Sequence, residues 1–199
     1  MQIEFIPAVI FVFITTITPG PNNIISTSMG LLYGYKKSLP FLSGIASGYL
    51  VIMLSTSMLS IFVNSYFPLI VPYLRYIGAA YICYLAYTVY KNSTKVKDPA
   101  HTKPLKYHNG FMLQFINPKV IFCGLTVFTT FLAGMLDQPI KVVLTVLLFT
   151  SFCFFSITLW ALTGNYIRRF LHTELRMKLF GAMLALALVY TAIDLLELF

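Results

Sequence analysis

Two short runs hold residue types that are uncommon inside so apolar a chain: Thr18-Pro19-Gly20-Pro21-Asn22-Asn23 and Asn117-Pro118-Lys119. The prolines remove backbone donors and Gly20 admits backbone angles that no helix uses, so a helix running into either segment should open. An opened helix offers free N–H groups and a positive dipole end, a field that suits a carboxylate. Lys119 adds a cation, which costs a few kcal/mol inside hydrocarbon unless it snorkels or finds a partner. Asn22, Asn23 and Asn117 carry donors and acceptors together, which fits a zwitterion with one ammonium and one carboxylate. The chemistry expected of these residues is therefore binding of a small amino acid, with Gln114, Thr18 and Thr126 as further candidates to line the same cavity.

Other uses of these residues exist. Prolines kink membrane helices for packing alone. Lys119 could reach the inner headgroups or cap the last carbonyls of a broken helix. Glu4, Asp137, Asp194 and Glu197 fall near one face and Asp98 and Glu174 in loops at the other, so no carboxylate is expected beside Lys119 and a bound substrate would have to supply one. Enzyme chemistry is excluded on residue type. His101, His108 and His172 are all expected in loops, and neither GxSxG nor HExxH occurs. Cys83, Cys123 and Cys153 each sit alone in an apolar stretch, without a CxxC pair or a companion ligand, and read as small packing residues. No metal and no cofactor are expected. A channel would need a ring of charges, and a metal carrier would need two anionic ligands sharing a span interior; neither is found.

The elements that position these runs follow from composition. With 58% hydrophobic and 10% charged residues over 199 positions and a mean hydropathy of +0.82, the chain cannot hide its apolar surface from water, and a lipid bilayer must be its solvent. Stretches of the ~20 residues needed to cross a bilayer occur at roughly 3–31, 39–63, 68–90, 110–134, 140–164 and 179–198. Their unbroken length predicts an all-α fold of six transmembrane helices rather than a barrel. The first begins Met1-Gln2-Ile3-Glu4 without a basic start and is expected to be retained as a span rather than cleaved. The polar, basic stretch 91–109, with Pro99 and Pro104, divides the chain into three-helix halves at 1–90 and 110–199. Three is odd, so the halves should enter the membrane with opposite polarity, as an inverted repeat whose first helix is broken in each half.

A net charge of +8 could suggest nucleic acid, but its placement argues for a membrane and for no nucleic-acid partner. Eleven of the fourteen basic residues flank alternate span ends: Lys36 and Lys37; Lys91, Lys95, Lys97, Lys103 and Lys106; Arg168, Arg169, Arg176 and Lys178. The positive-inside rule puts these ends in the cytoplasm and both termini outside, in a membrane crossed several times. Gly30 with Gly34 and Gly44 with Gly48 form GxxxG pairs that bring helices close, either within one chain or across a homodimer. Tyr81, Tyr84, Tyr87 and Tyr90 form a stripe suited to an interfacial belt.

In length, six-span layout and the Thr-Pro-Gly-Pro-Asn break, the chain resembles the LysE/RhtB superfamily of amino-acid exporters through nearly its whole extent. The family's first motif falls on Thr18, Pro19, Gly20, Pro21 and Asn22, and its Asn-Pro-Lys motif on Asn117, Pro118 and Lys119. The stretches Thr18 to Ile24, Phe111 to Lys119 and Trp160 to Gly164 look most like the cysteine and O-acetylserine exporters. The resemblance implies a secondary transporter that exports small neutral amino acids or derivatives by alternating access. Export of threonine, homoserine or lysine is the alternative, and a channel or structural subunit a more distant one. One departure stands out: many relatives place an acidic residue soon after the glycine pair of the second span, whereas here Gly48 is followed by Tyr49.

Overall fold

The computed structural model describes residues 3–60, 76, 79–80, 82–91, 93, 104–171 and 173–197. Among them the regular elements are all helical: α1 Phe5–Ile17, α2 Pro21–Tyr33, α3 Tyr35–Leu59, α4 at 82–91, α5 Tyr107–Phe115, α6 Pro118–Thr126, α7 Pro139–Ile167 and α8 Glu174–Glu197. In lipid no water can satisfy an exposed amide, so an apolar chain closes its backbone bonds within helices. Among the described residues three helices are long and apolar enough to cross a bilayer. The count rises to five if each bent pair is one span: α1 with α2 at 44°, and Tyr107–Phe115 with Pro118–Phe131 at 56°. Residues 68–75, 77, 78 and Tyr81 of the run at 68–90 and most of the linker fall outside the described residues.

Several boundaries differ from the hydropathy reading. Helix α5 starts at Tyr107, inside the stretch read as linker, because the Asn109 side chain accepts the Lys106 backbone N–H at 2.9 Å and caps the first turn. His108 therefore lies on an exposed helical turn and not in a loop; His101 and His172 fall outside the described residues. Helix α3 starts at Tyr35 and carries Pro40 in its second turn; Gly34, at φ 81°, closes α2 and opens α3 in one residue. Helix α8 begins at Glu174, earlier than its apolar run, since polar residues near a membrane surface continue a helix freely. Beyond Thr126 helix α6 widens into a π-turn over Val127–Phe131.

Helix α7 is the central post, touching α1, α2 and α3. Its inward face carries Val146, Phe149, Cys153, Ile157 and Ala161 at helical spacing, while Leu144, Leu147, Phe155, Leu159 and Leu162 are exposed. Helix α8 repeats the pattern, with Leu184 and Leu188 buried and Leu175, Leu179, Met183 and Leu186 exposed. An apolar outer face on top of an apolar core is the signature of a lipid-solvated bundle. The exposed Tyr84, Tyr87 and Tyr90 of α4 belong to that outer surface.

Glycine makes two crossings possible. A Cβ on Gly30 would overlap the carbonyl of Ala161, and one on Gly164 the carbonyl of Thr27, so α2 and α7 meet backbone to backbone. Helices α3 and α5 do the same through Gly44 against the Tyr107 carbonyl and Gly110 against the Phe41 carbonyl. Gly48 also packs on α5, where an added Cβ would lie 2.7 Å from the Phe111 carbonyl. Gly30, Gly44 and Gly48 are thus used inside the chain, which removes them from a dimer face.

Candidate functional site

Breaking α1 at Ile17 leaves carbonyls without helical donors, at a depth where water cannot serve all of them. Each finds a side chain. The Thr15 carbonyl accepts the Thr18 hydroxyl at 3.0 Å. The Thr16 carbonyl accepts Nδ2 of Asn23 and the Ser156 hydroxyl, both at 2.8 Å. The Ile17 carbonyl accepts Nε1 of Trp160 at 3.2 Å. The Thr18 carbonyl accepts Nδ2 of Asn23 at 2.8 Å and Nζ of Lys119 at 3.1 Å, and Lys119 also reaches the Thr18 hydroxyl at 2.9 Å and the Pro19 carbonyl at 3.3 Å. Lys119 thus caps the negative end of α1 from the opposite break, the cap role open to it in the sequence. Gly20 is fully extended, at φ −179° and ψ 178°, so the special backbone angles expected of it are not used. Its role is steric: a Cβ there would come within 3.1 Å of the Lys119 ammonium.

The second break is tied to the first by three carboxamides. Nδ2 of Asn22 donates to Oε1 of Gln114 at 2.9 Å, Nε2 of Gln114 returns to Oδ1 of Asn22 at 3.1 Å, and Nδ2 of Asn117 donates to the same Oδ1 at 3.0 Å. Nε2 of Gln114 also reaches the Gly110 carbonyl at 3.1 Å. Because that carbonyl only accepts, it fixes the orientation of Gln114, then of Asn22, then of Asn117, and leaves Oδ1 of Asn117 as a buried acceptor without a partner.

Around these groups lies a small cavity. Helix α1 contributes Thr15 and Thr16, the first break Gly20, Pro21, Asn22 and Asn23, and the second Asn117, Lys119 and Val120. Helix α6 adds Cys123, α7 adds Cys153 and Ile157, and α3 adds Tyr49. Pro21 and Pro118 each occupy the first turn of a helix whose N-terminus meets the cavity, where a missing N–H costs nothing. Gln114, Thr18 and Pro19 act one step back, as holders of Asn22 and Lys119, and Thr126 is not on the cavity wall. Sequence reasoning missed Ser156 and Trp160 as holders of α1, the cavity positions of Cys123 and Cys153, and Tyr49 as a wall residue. Only Tyr49 and the Trp160 stretch had left any trace, both through comparison with the family.

A helical bundle with a lipid-facing apolar surface and a cavity between two opened helices is the architecture a membrane translocator requires. The chain belongs to the family described as LysE type translocator, which matches residues 13–198. That is a family of transporters, not of enzymes. It is similar to the cysteine/O-acetylserine efflux proteins of Escherichia coli strain K12 and of Shigella flexneri serotype 5b, each 34% identical over 183 residues that cover 92% of both chains. The protein of that name from Escherichia coli O157:H7 is 33% identical over the same extent. No solved structure matches the chain.

Proposed function

We propose that this protein exports small neutral amino acids of the cysteine and O-acetylserine type from the bacterial cytoplasm. The observation that carries the reading is Lys119, whose ammonium stands on the cavity wall beside the N-termini of α2 and α6 with no carboxylate among the described lining residues. A substrate carboxylate entering there meets one full positive charge and two dipole ends. Oδ1 of Asn117, buried and without a partner, is the acceptor for the substrate ammonium. A lysine-like substrate would bring a second ammonium for which the cavity holds no anion, which favours neutral substrates over lysine.

The mechanism that suits this site is alternating access between two inverted three-helix halves, each opened by a break in its first span. The sharp bends of 44° and 56° at the two breaks support it. The concentration of basic residues at one end supports an orientation with that end in the cytoplasm and both termini outside the inner membrane. Efflux of labelled cysteine, O-acetylserine, threonine and lysine from preloaded cells tests the function. Export of the small neutral compounds should vanish in Lys119→Met at unchanged membrane abundance, whereas normal export by that variant removes Lys119 from the site.

A further inference from the structure

Tyr49 is only 2% exposed, it lines the cavity, and its hydroxyl has no hydrogen-bond partner of normal geometry. The hydroxyl stands beside the thiol of Cys123, which is a weak partner at best. If the position served packing alone, phenylalanine would fill it without burying an unmatched hydroxyl, and buried polar groups in folded proteins are nearly always matched. Of the wall residues supplied by α3, α7 and the part of α6 beyond Lys119 (Tyr49, Val120, Cys123, Cys153 and Ile157), Tyr49 has the one strong hydrogen-bonding group.

The residues of the two breaks already match the two groups every α-amino acid shares, the carboxylate at Lys119 and the ammonium at Asn117. What distinguishes one substrate from another is then read by the rest of the wall. We infer that the Tyr49 hydroxyl selects substrates that carry a polar group on the β-carbon, a hydroxyl, thiol or ester, over apolar amino acids of equal size. This rests on the export reading given above.

Counterflow into proteoliposomes of the intact protein provides the test, with serine, O-acetylserine and 2-aminobutyrate, which puts a methyl where serine has its hydroxyl. The unmodified protein should favour the two polar compounds by about tenfold, the worth of one well-made hydrogen bond. In Tyr49→Phe that preference should fall to near unity with 2-aminobutyrate transport retained, and the thermal midpoint should stay level or rise. A Tyr49→Phe variant that keeps the full preference, or that unfolds at a lower temperature because the hydroxyl has a structural partner, overturns the inference. If the unmodified protein shows no Lys119-dependent uptake of any of the three compounds, the export reading itself fails, an outcome separable from a failure at Tyr49 alone.

Discussion

Asn23 shows how the break is held at the scale of one residue. Its buried carboxamide donates to both the Thr16 and the Thr18 carbonyl at 2.8 Å, bridging the end of α1 to the start of α2. Leucine at this position has the same number and branching of side-chain heavy atoms and no donor. Asn23→Leu should therefore destabilise the protein by about 2 kcal/mol, since buried carbonyls lose donors that water does not replace. Thermal unfolding in detergent measures this, and a midpoint equal to that of the unmodified protein would show that Ser156 and Lys119 suffice for those carbonyls. Lys119 differs in kind. It caps α1 and also lines the cavity, so Lys119→Met is expected to stop export while the remaining holders, Asn23, Ser156 and Trp160, keep α1 in place.

At the scale of elements, the crossings of α2 with α7 and of α3 with α5 depend on backbones meeting without side chains between them. Gly30→Val should lose most of the folded protein from the membrane, because the added atoms would lie inside the Ala161 carbonyl and neither backbone can retreat without parting the helices. Gly34→Ala is the contrasting case: the space there is adequate, with Asn165 Oδ1 the closest atom at 3.4 Å, and only the positive φ is strained. Its cost should be about 1–3 kcal/mol, because φ 81° with ψ 160° is a region that glycine almost alone occupies. Folded yield by fluorescence-detected size exclusion separates the two, and equal yields would mean that the α2–α7 crossing tolerates a wider separation.

At the scale of the whole molecule, both glycine crossings and the carboxamide trio lie between the cavity and the end that carries Lys36, Lys37, Lys106 and Arg168. That end is the one that the positive-inside rule proposes for the cytoplasm. In a background free of native cysteines, Gln138→Cys should react with an impermeant thiol reagent added outside cells, and Lys36→Cys should react only after the membrane is opened. Labelling of Lys36→Cys in intact cells would reverse the assigned orientation.

Hydropathy and proline placement were enough to anticipate helices in lipid and the openings at Thr18–Asn23 and Asn117–Lys119, because span length and helix breaking depend on residues close together in sequence, and the two motifs at those openings carried the resemblance to the family. Three-dimensional packing decided the rest. That Lys119 would cap α1 rather than wait alone for a substrate depends on a contact 101 residues apart in the chain. That Gly20 serves by being small rather than by its backbone angles depends on the same lysine. The GxxxG pairs promised close helices, but which helices, and that they belong to one chain, was set by the complementary Gly110 and Gly164 on the opposing partners. Tyr49, Ser156 and Trp160 look like ordinary span residues in the sequence, since nothing local marks the face of a helix that will meet a cavity. Only the packing of α3 and α7 against the two breaks turns that face inward.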